Sequence, residues 1–479
     1  MLKKALGLPS AIAMVMGSMI GSGIFIVPAD IARGVNSPAL FILAWVVTGF
    51  LTIVGALSYG ELAAMMPKAG GQYIFLRESL GPIWGFLYGW ALFLVIQTGT
   101  IAAVAVAFGK FLGVWIPSIS ATNWIVHLDS VQSFNVGLST QNGVAIVIIV
   151  FLTGVNILGV KSGAIVQNLF TFAKTLALIG LIFIGFTIAR SHQAWQTNFG
   201  DFFSNFSLHG DYFVQNSTGL ATETVSVFVI LAVVQVGSLF SSDAWNNVTF
   251  AAAEVKNPMR NLPLALAVGT GSVILLYILA NLAYLSALPL GMIKTAPEDR
   301  VATALLEQVF SNGMGAKCMA LAIMVSTFGC VNGLVLAGSR VFYAMSEDGL
   351  FFKSAGHIHP RFATPVVALI LQGVWASLLC LSGTYGQLLD YIIFAVLLFY
   401  ILTIGGLFVL RKKQPERERP YRAFGYPVLP ALYIIIATFI DFVLFRYKPQ
   451  YTWPGLLIVL TGVPVYFLWR KSLNKEPLN

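Results

Sequence analysis

Charge is the scarcest resource in this chain: only 10% of its 479 residues are Asp, Glu, Lys or Arg, against 57% hydrophobic residues. No soluble domain of this size hides that much apolar surface, so a soluble globular protein is excluded. Cysteine and histidine are also rare, at three and five residues. Cys318, Cys330 and Cys380 all fall inside apolar stretches, which argues against a disulfide framework, and the scattered histidines offer no zinc spacing. Neither a metal nor a cofactor is expected. The sequence contains no GxxxxGK[ST] loop, which argues against an ATP-driven pump. It also lacks HExxH, GxSxG and any Ser/His/Asp grouping near an apolar run, so a membrane enzyme has nothing to stand on. A net charge of +9 would suit nucleic acid in a soluble protein, but here it is spread between apolar runs and reads first as membrane orientation.

What the chain has is apolar sequence from end to end, with a mean hydropathy of +0.83. The pattern predicts an all-α polytopic membrane protein with twelve spans, at 8–33, 38–66, 82–112, 142–160, 163–189, 222–254, 262–288, 316–346, 365–382, 387–410, 426–446 and 452–470. The first run is too long, and too lacking in a small-residue cleavage site, for a removed signal peptide. An even number of spans puts both termini on one side. More of the 28 basic residues fall on that side than on the other, which makes it cytoplasmic. The densest run, RKKQPERERPYR over Arg411 to Arg422, then reads as a cytoplasmic orientation signal, with a grip on anionic membrane lipid as the alternative. Two loops on the opposite side, 113–141 and 191–221, are polar and aromatic and expected to cap that face. Pro67 to Pro82 is bounded by turn residues and too short to cross, so it reads as an interfacial or re-entrant piece.

Two spans are interrupted. The first carries Gly21, Ser22 and Gly23 at its middle, where glycine makes a break cheap. A broken helix in hydrocarbon strands backbone polar groups at several kcal/mol each, so it survives only where it lines a cavity or holds a ligand. Glycines that merely let another helix approach closely are the alternative. The sixth runs apolar to Phe240 and then reads Ser241, Ser242, Asp243, Ala244, Trp245, Asn246, Asn247 before continuing to Glu254. Interrupted segments at matching places five spans apart point to the binding site of an inverted-repeat transporter. The N–H groups opening a second half-helix carry partial positive charge and suit a carboxylate.

Two intramembrane charges stand out. Lys174 lies mid-span in FTFAKTLALIG with no acid at i±3 or i±4, and two roles are open to it: a permanent charged strut, or a group that loses and regains a proton. Asp243 sits inside the second break, where it could meet a cationic substrate, grip an ammonium, titrate, or cap the restarted half-helix. Glu61, Glu254, Arg340, Glu347, Asp348, Asp390 and Asp441 read as interfacial charges at span ends, some of them possible inner-gate ion pairs.

Five separated motifs add a family resemblance: GSGIF in span one, AGGQY after span two, EVKNPMRNLPLAL after span six, SRVFYAMSEDG closing span eight and ERPYRAFGYPVLP before span eleven. Through them the chain resembles the amino acid-polyamine-organocation superfamily, and most of all bacterial members of its L-type amino-acid transporter family. The resemblance implies a five-plus-five inverted repeat with discontinuous helices one and six: a first repeat over 1–190, a second over 191–411, and two further helices with a tail over 412–479. It implies that Ser22 and Gly23, with Gly21 beside them, bind a substrate α-carboxylate. Carbonyls at Met19, Ile20 and Phe240 would accept the α-ammonium, the Phe240 ring would shield the substrate, and Cys330, Asn332 and Phe394 would contribute to the side-chain pocket. Lys174 would replace a sodium ion found in relatives between spans one and eight, which implies sodium-independent transport. Asp243 departs from the family pattern, where a small or neutral residue is usual. No cysteine falls in the outer loops, so no disulfide-linked heavy chain is expected.

The function expected is secondary active transport of amino acids across the plasma membrane by alternating access, as sodium-independent exchange. A proton-coupled symporter of amino acids or polyamines is the alternative. A membrane amino-acid sensor is a third class, which would call for a soluble domain or long tail beyond the nine residues after Arg470.

Overall fold

The fold is that of a computed structural model, which describes residues 4–127, 137–208, 212–215, 222–310, 312–381 and 385–473. Every expected span contains helix. By length and apolarity, nine helices among the described residues can cross a membrane. A tenth crossing is the pair Leu8–Met19 and Gly23–Val35, bent by 41° at the first expected break. Val227–Ser241 and Val366–Leu379, at the sixth and ninth expected spans, are apolar but shorter. The chain is therefore a mostly helical membrane protein, with ten crossings by length and apolarity among the described residues where twelve spans were expected, and with two short antiparallel strand pairs, Trp124–His127 with Gly137–Ser139 and Tyr212–Gln215 with Thr222–Val225, outside them.

Span five, Val160–Phe186, shows how sequence sets orientation. Ile165, Leu169, Phe172, Leu176, Ile179 and Phe183 recur every three or four residues and are 46–71% exposed, forming a stripe that faces lipid. Gln167, Thr171 and Lys174 fall on the opposite, buried face, against Leu8–Met19 and span eight, Met314–Glu347. The one charge in the middle of this helix is thereby pointed at the break.

Three details depart from expectation. The segment after span two forms a helix, Gln72–Leu80, whose residues are mostly buried, which sets aside the interfacial one of its two expected placements. Its lead-in glycines are required: Gly71 has φ 43°, and a Cβ there would meet the backbone of Thr249 and Phe250 at 2.7 and 2.9 Å. Span six does not continue as a helix to Glu254. After Ser241 it yields only Asn247–Phe250 and a 3-10 turn at Ala252–Glu254, because Ala244 at φ 64° turns the chain out of the right-handed region. Span three, Pro82–Leu112, contains a π-helical stretch, Leu92–Ile96, marked by the Thr98 hydroxyl donating to Phe93 O at 2.7 Å.

Glu347 and Asp348 are exposed as expected, but Glu61, Glu254, Arg340 and Asp441 are buried. Glu61 is fully buried and accepts from Arg411 Nε at 2.9 Å, Arg411 Nη2 at 2.6 Å and the Ala423 amide at 2.7 Å. Arg419 Nε lies 3.3 Å away, so two arginines of the basic run turn inward. Arg340 and Glu254, both buried, pair at 3.2 Å. Asp348 accepts from Tyr73 at 2.7 Å and pairs with Arg77. Asp441 is buried too, while the side chain of Asp390 lies outside the described residues.

Candidate substrate site

The first half of span one ends at Met19, and Ile20 leaves helical geometry at φ −73°, ψ 97° before Gly23 restarts it. Carbonyls at such an end have run out of in-helix donors. Lys174, 1% exposed, supplies three: its Nζ donates to Gly17 O and Ile20 O at 2.5 Å each and to Ser326 O on span eight at 3.3 Å. Ser326 Oγ adds donors' reach to Ile20 O and Gly21 O at 3.2 and 3.0 Å.

The two breaks face one another. The Tyr277 hydroxyl on span seven, Pro258–Ala287, lies 3.0 Å from Met19 O and 3.1 Å from Ser241 O, so one side chain spans the ends of both half-helices. Gly23 is where they touch, since a Cβ there would lie 2.8 Å from Ser241 Cβ and 3.0 Å from Ser241 Cα. Between the breaks lies a cavity bordered by Met19, Gly21, Ser22, Gly23, Phe240, Asp243 and Cys330, with Thr100 and Val104 of span three closing it. At about 10 Å³ it has room for roughly one water. The site is formed but contracted.

A profile of the amino acid permease family matches residues 6–467. The chain belongs to that family. The permease is thus a multi-pass membrane transporter of amino acids within the amino acid-polyamine-organocation superfamily, and not an enzyme. It is 31% identical to the human large neutral amino acids transporter small subunit 2, over 98% of this chain and 80% of that one. It is 30% identical to the serine/threonine exchanger SteT of Bacillus subtilis, over 98% of both chains. The human b(0,+)-type amino acid transporter 1 is 30% identical over 99% of this chain and 91% of its own.

Of the expected site residues, the permease gathers Met19, Gly21, Ser22, Gly23, Phe240, Asp243 and Cys330 around one cavity. Ile20 turns its carbonyl to Lys174 and Ser326. Cys330 Sγ, whose ring of neighbours includes Gly21, sits 3.0 Å from Ser18 O. Phe394 is buried but does not border this cavity. Its neighbours Ile393, Val396 and Leu397 border a second small void beyond Asp243 instead. Asn332 faces away, held by Asn156, Gly163 and Gln167 at 2.9–3.1 Å. Asp243 does not cap the restarted helix, whose N-cap is Asn246. Its carboxylate accepts the Tyr400 hydroxyl at 2.6 Å, and Tyr400 stands edge-on to Tyr59 and tilted against Trp245, ring centres 5.7 and 5.1 Å away. Tyr277, Tyr400, Ser326 and Thr100 were missed because each is a single polar group in an apolar helix, and nothing local marks which face it occupies. No cluster that could hold a metal occurs among the described residues.

Proposed function

We propose that this permease exchanges amino acids across the plasma membrane without sodium, by alternating access about the two breaks. Ser22 and Gly23, opening the second half-helix, take the α-carboxylate, while the carbonyl ends at Met19, Ile20 and Phe240 take the α-ammonium, each charge meeting the helix end of opposite sign. The Met19 carbonyl keeps Tyr277 as a partner and offers the substrate its second lone pair, while Ile20 O, which already faces Lys174 and Ser326, is open to the ammonium once Ser326 Oγ turns to Gly21 O. Asp243, steered by Tyr400, reads the side chain. The repeats run over 1–190 and 191–411, with 412–479 outside them, and both termini are cytoplasmic. The absence of cysteine from 113–141 and 191–221 supports action without a disulfide-linked heavy chain.

The observation carrying this reading is Lys174. Its ammonium already bridges span one and span eight on three carbonyls, and a second cation in the same nest would meet like charge. In proteoliposomes, uptake of radiolabelled threonine, leucine or arginine should need an amino acid inside and should be the same in sodium and in choline. A strict sodium requirement, or uptake driven by a pH gradient into empty vesicles, overturns it. Ser22→Ala should weaken uptake in the same assay.

A further inference from the structure

The cavity between the breaks is not the roomiest among the described residues. A hollow of about 580 Å³ opens at the far end of the same two helices, within the size range of small-molecule sites. Gly23–Val35 contributes Gly23 to the contracted cavity and Ile26, Val27 and Asp30 to the hollow. Span three contributes Thr100 and Val104 to the first and Lys110 to the second, which Gly113, just past its end, also borders. The two spaces therefore lie in series along one path.

The hollow carries both signs of charge. Lys110 Nζ donates to the Glu298 carbonyl at 2.7 Å, and among the described residues it has no carboxylate partner. Its remaining donors are available to an anion. Asp30, with its side chain 70% exposed, pairs through Oδ1 with Arg33. Arg33 in turn holds Asp299 Oδ1 at 2.7 Å. Arg300, a further cation of the rim, is occupied by Glu298 at 2.6 Å. The stretch 297–300 is thus pinned by Lys110 and Arg33 to the helices that lead to the inner cavity.

We propose that this hollow is a second amino-acid site, in which a zwitterion is held before entry, its carboxylate at Lys110 and its ammonium at Asp30. The inference rests on the transport reading above. An ammonium at Asp30 competes with Arg33, whose other partners are Asp299 and the Lys294 carbonyl, so occupancy of the hollow shifts Arg33 toward the stretch 297–300 that lines it. Because these charges are partly exposed, the site weakens with ionic strength, while the buried inner site does not.

The test is equilibrium binding to the purified full chain in nanodiscs, using whichever of radiolabelled threonine, leucine or arginine is exchanged fastest. Wild type should bind two molecules per chain at low salt and one at high salt. Lys110→Met and Asp30→Asn should bind one, with KM raised ~10-fold, the worth of one charged hydrogen bond, and the maximal exchange rate kept. Thr122→Trp, on an exposed loop, fills the hollow without touching its charges and should do the same. One molecule bound by wild type, with exchange intact and KM unmoved in all three variants, overturns the second site alone. No amino acid bound or exchanged overturns the transport reading with it.

Discussion

A single ammonium decides how span one is fixed. Lys174 is 1% exposed and pairs with no acid among the described residues, so its charge is balanced by dipoles: Gly17 O, Ile20 O and Ser326 O. The Gly17 and Ile20 acceptors are open only because the helix stops, and the stop is stable only because a donor fills them. Lys174→Met keeps the length of the side chain and removes every donor. Each stranded carbonyl then costs ~1–3 kcal/mol, with the largest share falling on the state in which the inner half of span one rests against spans five and eight. Exchange should drop by at least ~10-fold while the protein still reaches the membrane. Exchange at the wild-type rate in proteoliposomes, with equal protein incorporated, would show that the lysine is no strut.

At the level of elements, the two breaks act as one unit, and two neighbouring glycines separate contact from mere flexibility. A methyl at Gly23 would run into Ser241, including its backbone at 3.0 Å, forcing the half-helices apart. A methyl at Gly21 would meet Cys330 Sγ at 3.4 Å, an ordinary contact. Gly23→Ala should therefore abolish binding, whereas Gly21→Ala should retain it within ~10-fold, measured as substrate-induced thermal stabilisation of purified protein. Equal behaviour of the two would sink the proposed contact. The breaks were legible in the sequence because Gly–Ser–Gly and Ser–Ser–Asp interrupt continuous apolar runs. The fate of span six beyond them was not: Val248, Phe250, Ala251 and Ala252 are apolar enough for a helix, and the left-handed turn at Ala244 has no glycine to announce it. The π-helical stretch Leu92–Ile96 was equally hidden, since an all-apolar segment reads the same whichever hydrogen-bond step it takes.

Across the whole molecule, residues far apart in the chain were paired in ways sequence does not reveal. Span positions followed from hydropathy alone, but an acid near a span end looks the same whether it meets water or a partner 350 residues on, as Glu61 meets Arg411. Glu61 fastens three segments: span two, the end of span ten through Arg411, and the loop beyond through Arg419 and the Ala423 amide. Arg411 also lies over the Tyr426 ring, 3.6 Å from its centre. A carboxylate with no exposure, three hydrogen-bond donors and a second guanidinium converging on it is a bolt between these elements. Glu61→Gln keeps the shape but removes the charge and turns an amide N–H toward arginine. Breaking one partner of a buried pair should destabilise by ~3–5 kcal/mol, against ~0.5 kcal/mol or less for an interfacial charge. Thermal unfolding of purified Glu61→Gln, Arg411→Gln and the double variant decides between them. Two large single losses with a double far short of their sum establish the bolt, and three small, additive shifts return Glu61 to the surface reading.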